Sequence, residues 1–304
     1  MNDNMIELSH VSKSFQNRSV LRDLTYSVRR GEILGFLGPN GSGKTTTIRL
    51  MNGVIRPDGG EIRIGGFDPI HDGDQIRRIS GILTESAGFY QNMTGLQNLR
   101  FFADLYGVQD LKRPAELLEE FGLADAATKK VGTYSTGMKK RLGLAKALLH
   151  DPDILFLDEP TNGLDPEGIR MVLQQIAELN RRRGTTIILC SHLLQQLEVV
   201  CQRYVFLLGG AVIEEGTLAA LEAKYNPTIT LEVETDLTLA GGQYRGLPAR
   251  RVDAGRLSFQ LHSRDEVPAF LRALAQDANL YSASQVNQDL ESLYFQIREA
   301  VKNG

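Results

Sequence analysis

Gly38-Pro39-Asn40-Gly41-Ser42-Gly43-Lys44-Thr45-Thr46 is the densest piece of chemistry in the chain. It follows the apolar run 33–37 and precedes Thr47-Ile48-Arg49-Leu50-Met51, so it reads as a loop between a strand and a helix. Glycines at this spacing let successive backbone N–H groups turn inward around phosphate oxygens. The helix that follows points its positive end at the same anion. Lys44 can then reach β- and γ-phosphate oxygens, and the Thr45 hydroxyl can ligate Mg²⁺. By average residue usage the pattern arises by chance in roughly one in a hundred chains of this length. The flanking strand and helix make chance rarer still, so the residues point to nucleotide binding.

Two carboxylates close the apolar run Ile154-Leu155-Phe156-Leu157-Asp158-Glu159. A buried parallel strand delivers its C-terminal end to the ligand crevice of an open sheet. Asp158 is placed there to hold Mg²⁺, often through water. Glu159 is one residue further out, where it could orient or deprotonate an attacking water. Tyr134-Ser135-Thr136-Gly137-Met138 offers a second helix start with a hydroxyl and a glycine beside it. That is another anion site. One chain cannot easily bring both helix starts to one nucleotide, whereas two chains placed head to tail can.

The elements that must position these residues follow from pattern. Residues 6–11, 24–28, 33–37, 61–64 and 79–83 read as strands. Helices are predicted over 96–106 and 114–121, and from an N-cap at Ser135 to about residue 150. Strands resume at 154–157, 185–190, 204–208 and 211–215, with helices at about 167–183 and 193–200. Apolar strands alternating with helices imply a mainly parallel sheet covered on both faces. The helical stretch between about 90 and 150 interrupts that alternation and reads as an inserted subdomain. After a short helix near 218–224 comes Asn226-Pro227, and beyond it strands at 228–233 and 256–261 with helices at 266–275 and 288–301. The expected division is therefore 1–225, with a separate small α+β domain over 226–304.

Composition narrows the function classes. Of 304 residues, 42% are hydrophobic and 23% charged, within the range of globular proteins. The net charge of −3 provides no basic excess to attract nucleic acid. Arg181-Arg182-Arg183 before Gly184 reads as cations at a helix end, and Lys139-Lys140-Arg141 as a solvated face. The N-terminus, Met1-Asn2-Asp3-Asn4-Met5, does not read as a secretory signal, and no apolar run is long enough to span a bilayer. Cys190 and Cys201 sit among apolar neighbours and read as buried thiols in a reducing compartment.

With these motifs assembled, the chain resembles the ATP-binding subunits of ABC transporters over about residues 5–220. Residues 38–45 match that family's phosphate loop position by position, and Asp158-Glu159 its second Walker motif. Residues 134–138 stand where its signature lies, and Gly163-Leu164-Asp165-Pro166 looks like its D-loop. His192, after Ser191, looks like its switch histidine, and Phe15 sits where an aromatic ring stacks on adenine. Two departures stand out. Thr136 and Met138 replace the commonest glycine and glutamine of the signature, and Glu85 stands where the Q-loop usually has glutamine.

The resemblance implies an α/β fold of the P-loop NTPase, ABC-ATPase type, with a β subdomain, a parallel core sheet and an inserted helical subdomain. It implies ATP and Mg²⁺ as ligands. Gly38, Asn40, Gly41, Ser42, Gly43, Lys44, Thr45, Thr46 and Phe15 would hold the nucleotide of one copy. Ser135, Thr136, Gly137 and Asp165 would close on it from the second copy. Thr45, Asp158 and Glu85 would face the metal, and Glu159, His192 and Glu85 would serve hydrolysis. The implied protein is an exporter's ATPase, a head-to-tail homodimer on the cytoplasmic face of a separate membrane-spanning permease. Two other readings are a soluble ABC ATPase outside transport and a regulatory nucleotide-binding module.

Overall fold

The computed structural model describes residues 3–84, 88–191, 193–225, 228–239, 242–286 and 289–303. The chain divides into two compact units, Met1–Glu215 and Gly216–Gly304. The boundary precedes the one expected at residue 225, because the short helix before Asn226-Pro227 belongs to the second unit. Asn226 and Pro227 themselves lie outside the described residues.

The first unit opens with β1 (Asn4–Phe15), β2 (Arg18–Arg29) and β3 (Ile33–Leu37), then α1 (Lys44–Met51) and β4 (Gly59–Ile64). Next come α2 (Gly73–Ile79), β5 (Ser80–Leu83), α3 (Gly95–Tyr106), α4 (Arg113–Glu120) and α5 (Thr136–Ala147). It closes with β6 (Ile154–Asp158), α6 (Pro166–Arg183), β7 (Thr186–Cys190), α7 (Leu194–Val200), β8 (Arg203–Leu208) and β9 (Ala211–Gly216). Strands β2, β1 and β4 form a small antiparallel sheet. The larger sheet runs β5-β6-β7-β3-β8-β9, and its pairs from β5 through β8 are parallel.

Burial explains why the central strands are apolar throughout. Every residue of β3 and β7 is buried, as are Ile154, Leu155, Phe156 and Leu157 of β6. Each buried leucine, isoleucine or phenylalanine among them contributes roughly 1.5–3 kcal/mol when removed from water. The register places Asp158 opposite Cys190, so β6 and β7 end together, beside β3. The loops that carry the candidate chemistry therefore leave one edge of the sheet from three neighbouring strands.

The first two strands extend further than alternation predicts. They form a hairpin whose turn, Gln16-Asn17, has φ of 46° and 63°, which matches a tight right-twisted ribbon. Register shifts beside Val11 and left-handed His10 break the two-residue period and hide 12–15 from a pattern search. Helix α2 carries one buried residue, Ile76, too few to show a period.

The helical insert is α3, α4 and α5. Thr94 and Gln97 cap the start of α3 reciprocally. Fully buried Asn98 accepts from Tyr90 N–H and donates to the carbonyls of Tyr90 and Thr94. The Tyr134 hydroxyl donates to Ala126 O at 2.7 Å. This packing requires glycine at residue 95, where a Cβ would lie 2.2 Å from the Tyr134 hydroxyl oxygen.

Near the end of the first unit, Arg203 draws strands together. Its guanidinium reaches Glu32 at 2.7 Å, Glu215 at 3.1 Å and the Ser27 carbonyl. The second unit begins with α8 (Leu218–Tyr225), followed by β10 (Ile229–Thr235), β11 (Gln243–Tyr244), β12 (Leu247–Asp253) and β13 (Arg256–Leu261). It ends with α9 (Val267–Asp277), β14 (Leu280–Val286) and α10 (Leu290–Asn303). Its sheet runs β11-β12-β13-β10-β14 over a core that includes Leu231, Phe259, Phe270 and Leu274. The exposed strands β12 and β14 escape sequence reading because none of their residues is buried.

Candidate functional site

The phosphate loop joins β3 to α1. Gly43 forms the N-cap of α1 at φ 111°, and a Cβ there would meet Leu21 at 2.4 Å. Glycine offers no side-chain cap, so the first amides of the helix keep their capacity for an anion. Buried Lys44 turns its Nζ onto the loop's own carbonyls, donating to Gly38 O at 2.6 Å and Pro39 O at 3.2 Å. The Ser42 hydroxyl is buried and has no hydrogen-bond partner among the described residues. A buried polar atom left unpaired in a loop of this kind fits a phosphate oxygen.

Across the loop, the Thr45 hydroxyl donates to Asp158 Oδ2 at 3.1 Å. A hydroxyl and a carboxylate together are the hard oxygen donors that suit Mg²⁺. Burial pushes the Asp158 carboxyl above the usual aspartate range, against the pull of its Thr45 hydrogen bond and of the Lys44 and Lys140 charges. Glu159 sits at φ 52°, a left-handed conformation unusual for a side-chain-bearing residue. Its N–H donates to Cys190 O at 2.9 Å, and its Oε2 lies 3.4 Å from the Ser191 hydroxyl. Asn40, Gly41, Gly43, Lys44, Thr45, Thr46, Asp158 and Glu159 line one open cavity of about 380 Å³.

The second group lies elsewhere. Ser135 caps α5, accepting from Met138 N–H at 3.2 Å, which leaves its hydroxyl hydrogen to donate. Asp165 caps α6 through Gly168 N–H at 3.0 Å. Ser135, Thr136 and Gly137 line a different open cavity with Gly163, Leu164, Asp165 and Arg141. None of the residues lining it borders the phosphate-loop cavity. Arg141 ties α5 to the end of α4 by donating to the carbonyls of Phe121 and Gly122, both at 3.1 Å.

Some expected residues are not brought in. Phe15 ends β1, paired with Arg18, and its half-exposed ring carries the Lys13 ammonium 5.4 Å from its centroid. It does not line the phosphate-loop cavity, whereas Val20 does. Glu85 and His192 lie outside the described residues. One reading is corrected. Lys140 is not on a solvated face: it is buried, and its Nζ donates to the Glu159 carbonyl at 2.8 Å. Val20, Lys140 and Ser191 were missed as site neighbours. Only Ser191 gave a usable signal, as a hydroxyl directly at the end of an apolar strand.

Comparison with known proteins gives a consistent answer. Residues 21–162 match the ABC transporter family. Over 301 residues the chain is 35% identical to the uncharacterized ABC transporter ATP-binding protein YhcH of Bacillus subtilis (strain 168), covering 98% of this chain and 97% of that one. It is 37% identical over 253 residues to the fluoroquinolones export ATP-binding protein Rv2688c of Mycobacterium tuberculosis (strain ATCC 25618 / H37Rv), covering 82% and 78%. Among solved structures, a dimeric post-hydrolysis state of the ATP-binding cassette MJ0796 bound to ADP and Pi aligns with a TM-score of 0.65 at 25% identity. That alignment covers 70% of this chain and 98% of the other.

Proposed function

We propose, since this chain belongs to the ABC transporter family as one of its ATP-binding proteins, that it hydrolyses ATP between two copies of itself and drives export through a separate membrane-spanning subunit. The observation that carries the reading is the separation of two incomplete sites on one chain. One cavity has the phosphate loop and the carboxylates, and the other has the signature residues and Asp165. A head-to-tail pair would bring the first of one copy against the second of its twin. That a similar cassette with bound ADP and Pi is dimeric supports the pairing of two copies.

In this reading the phosphate-loop amides, Ser42 and Lys44 bind the phosphates, with Phe15 at the adenine. Thr45 and Asp158 would hold Mg²⁺, with Glu85 at the Q-loop position facing the same side. The metal, when bound, neutralises charge on the transferring phosphoryl group. Glu159 orients and deprotonates the attacking water. Ser135 donates its free hydroxyl hydrogen to the phosphate held by the twin, and Thr136, Gly137 and Asp165 complete that wall. His192 would contact the γ-phosphate. Closure is driven by contacts made only between the two copies, and their loss on hydrolysis reopens the pair. No helix among the described residues is long and apolar enough to cross a membrane. The name of one relative, a fluoroquinolones export ATP-binding protein, supports export as the direction of transport.

Mixing two inactive variants tests the shared site. Lys44→Ala should weaken ATP binding about 10- to 100-fold, the scale of a lost charge-assisted contact. Ser135→Arg should leave binding by one copy intact and abolish turnover. Together they form heterodimers with one complete site, and ATPase activity should return on mixing. Activity in either variant alone, or no recovery on mixing, overturns the two-copy site.

A further inference from the structure

We propose that Lys140 is a positioning residue that links the signature helix to Glu159, and so connects the two composite sites of the dimer. The proposal rests on the hydrolysis reading above. Lys140 lies on α5, whose first residues follow the Ser135 cap. Its stem runs inward, and its ammonium donates to the main-chain carbonyl of Glu159 at 2.8 Å. Glu159 is held in a left-handed conformation that costs a non-glycine residue roughly 1–2 kcal/mol. Such a conformation persists only where neighbours over-determine it. Among those neighbours, Cys190 O accepts from the Glu159 N–H, and the Glu159 carbonyl accepts both from the Lys140 ammonium at 2.8 Å and from the Asn162 N–H at 3.3 Å.

The backbone angles of Glu159 set where its carboxylate points. Because α5 is a single 12-residue helix, a shift at its signature end moves the Lys140 anchor as well. The signature end meets the nucleotide held by the twin, whereas Glu159 serves the nucleotide held by its own phosphate loop. Lys140 therefore carries the state of one composite site to the hydrolytic carboxylate of the other.

The test compares steady-state ATP turnover of the wild type with Lys140→Met, Lys140→Gln and Lys140→Arg. A fluorescent ATP analogue reports binding by each chain in parallel. Lys140→Met should lower kcat about tenfold or more, the scale of one lost charged hydrogen bond. KM and analogue affinity should stay within about twofold, and the Hill coefficient for ATP should fall toward one. Lys140→Gln, neutral but still a donor, should lie between, and Lys140→Arg should restore most of kcat. If Lys140→Met fails to fold, the Gln and Arg variants decide. Wild-type kcat in Lys140→Met or Lys140→Gln overturns the proposal. So does a fall in affinity matching the fall in kcat, or an Arg variant no better than Met. A wild-type chain that binds the analogue and never turns ATP over overturns the hydrolysis reading itself.

Discussion

The two incomplete sites of the first unit are built on opposite principles. The phosphate loop is founded on a sheet with water excluded from both faces, and its Ser42, Gly43 and Lys44 are themselves buried. The signature residues sit at the rim of a small helical insert, where Ser135 and Thr136 are exposed. Behind them α5 is packed through Leu142, Leu144 and Ala145, and single contacts, notably Tyr134 on Ala126 O and Arg141 on Phe121 and Gly122, tie its exposed end to the rest of the insert. The first site is fixed by packing, and a change there should register in binding by one chain. The second is exposed at its tip and tied there by linkages that can be cut one at a time, and a change there should register in turnover by the pair.

The largest expected effect sharpens the comparison from inside the phosphate-loop site. Glu159→Gln should lower turnover about 10²- to 10⁴-fold, the range for loss of a general base. It should leave ATP binding and ATP-dependent dimerisation in place. Single-turnover assays with size-exclusion chromatography would check this, and a variant of near-normal rate would remove Glu159 from the chemistry.

A smaller effect tests the insert's linkages. Gly95→Ala puts a methyl group 2.2 Å from the Tyr134 hydroxyl oxygen. Overpacking of this kind costs about 1–3 kcal/mol. Thermal unfolding should reveal that cost and turnover should drop, while nucleotide affinity of the single chain holds. Loss of affinity together with turnover would break the contrast between the two sites.

The smallest effect concerns pH. His150 is half-buried beneath the insert, its Nε2 3.1 Å from Ser80 O and its ring 4.7 Å from that of Tyr106. Burial holds its pKa below the ordinary 6.5. The unfolded chain therefore takes up this proton first, and stability falls as pH drops below 6.5. Above that pH the contribution is fully present. His150→Asn should flatten the dependence of melting temperature on pH between about 7 and 5. An unchanged slope would show that His150 does not titrate with folding.

The division between packing and linkage also explains what could be read from sequence. The loop at 38–45 and the run 154–159 announce themselves because a phosphate cradle and a doubly buried strand each demand a narrow choice of residues. The parallel core follows from the same apolar runs. Lys140 was unreadable because a lysine in Lys139-Lys140-Arg141 looks like any basic surface, and only the depth of α5 shows that its stem runs inward. Val20 gave no sign because its role comes from the way β2 passes the loop. In the second unit, β12 contains Pro248, Arg250 and Arg251 and keeps most of its length exposed, so no apolar alternation marks it.

The Arg203 clamp has a consequence for how such chains are put together. By gripping Glu215 as well as Glu32, it fastens the last residue of the first unit to strands laid down much earlier. The polypeptide thus leaves the first unit through a riveted doorway. A graft made just after this rivet should leave the Arg203 grip on Glu32 and Glu215 in place.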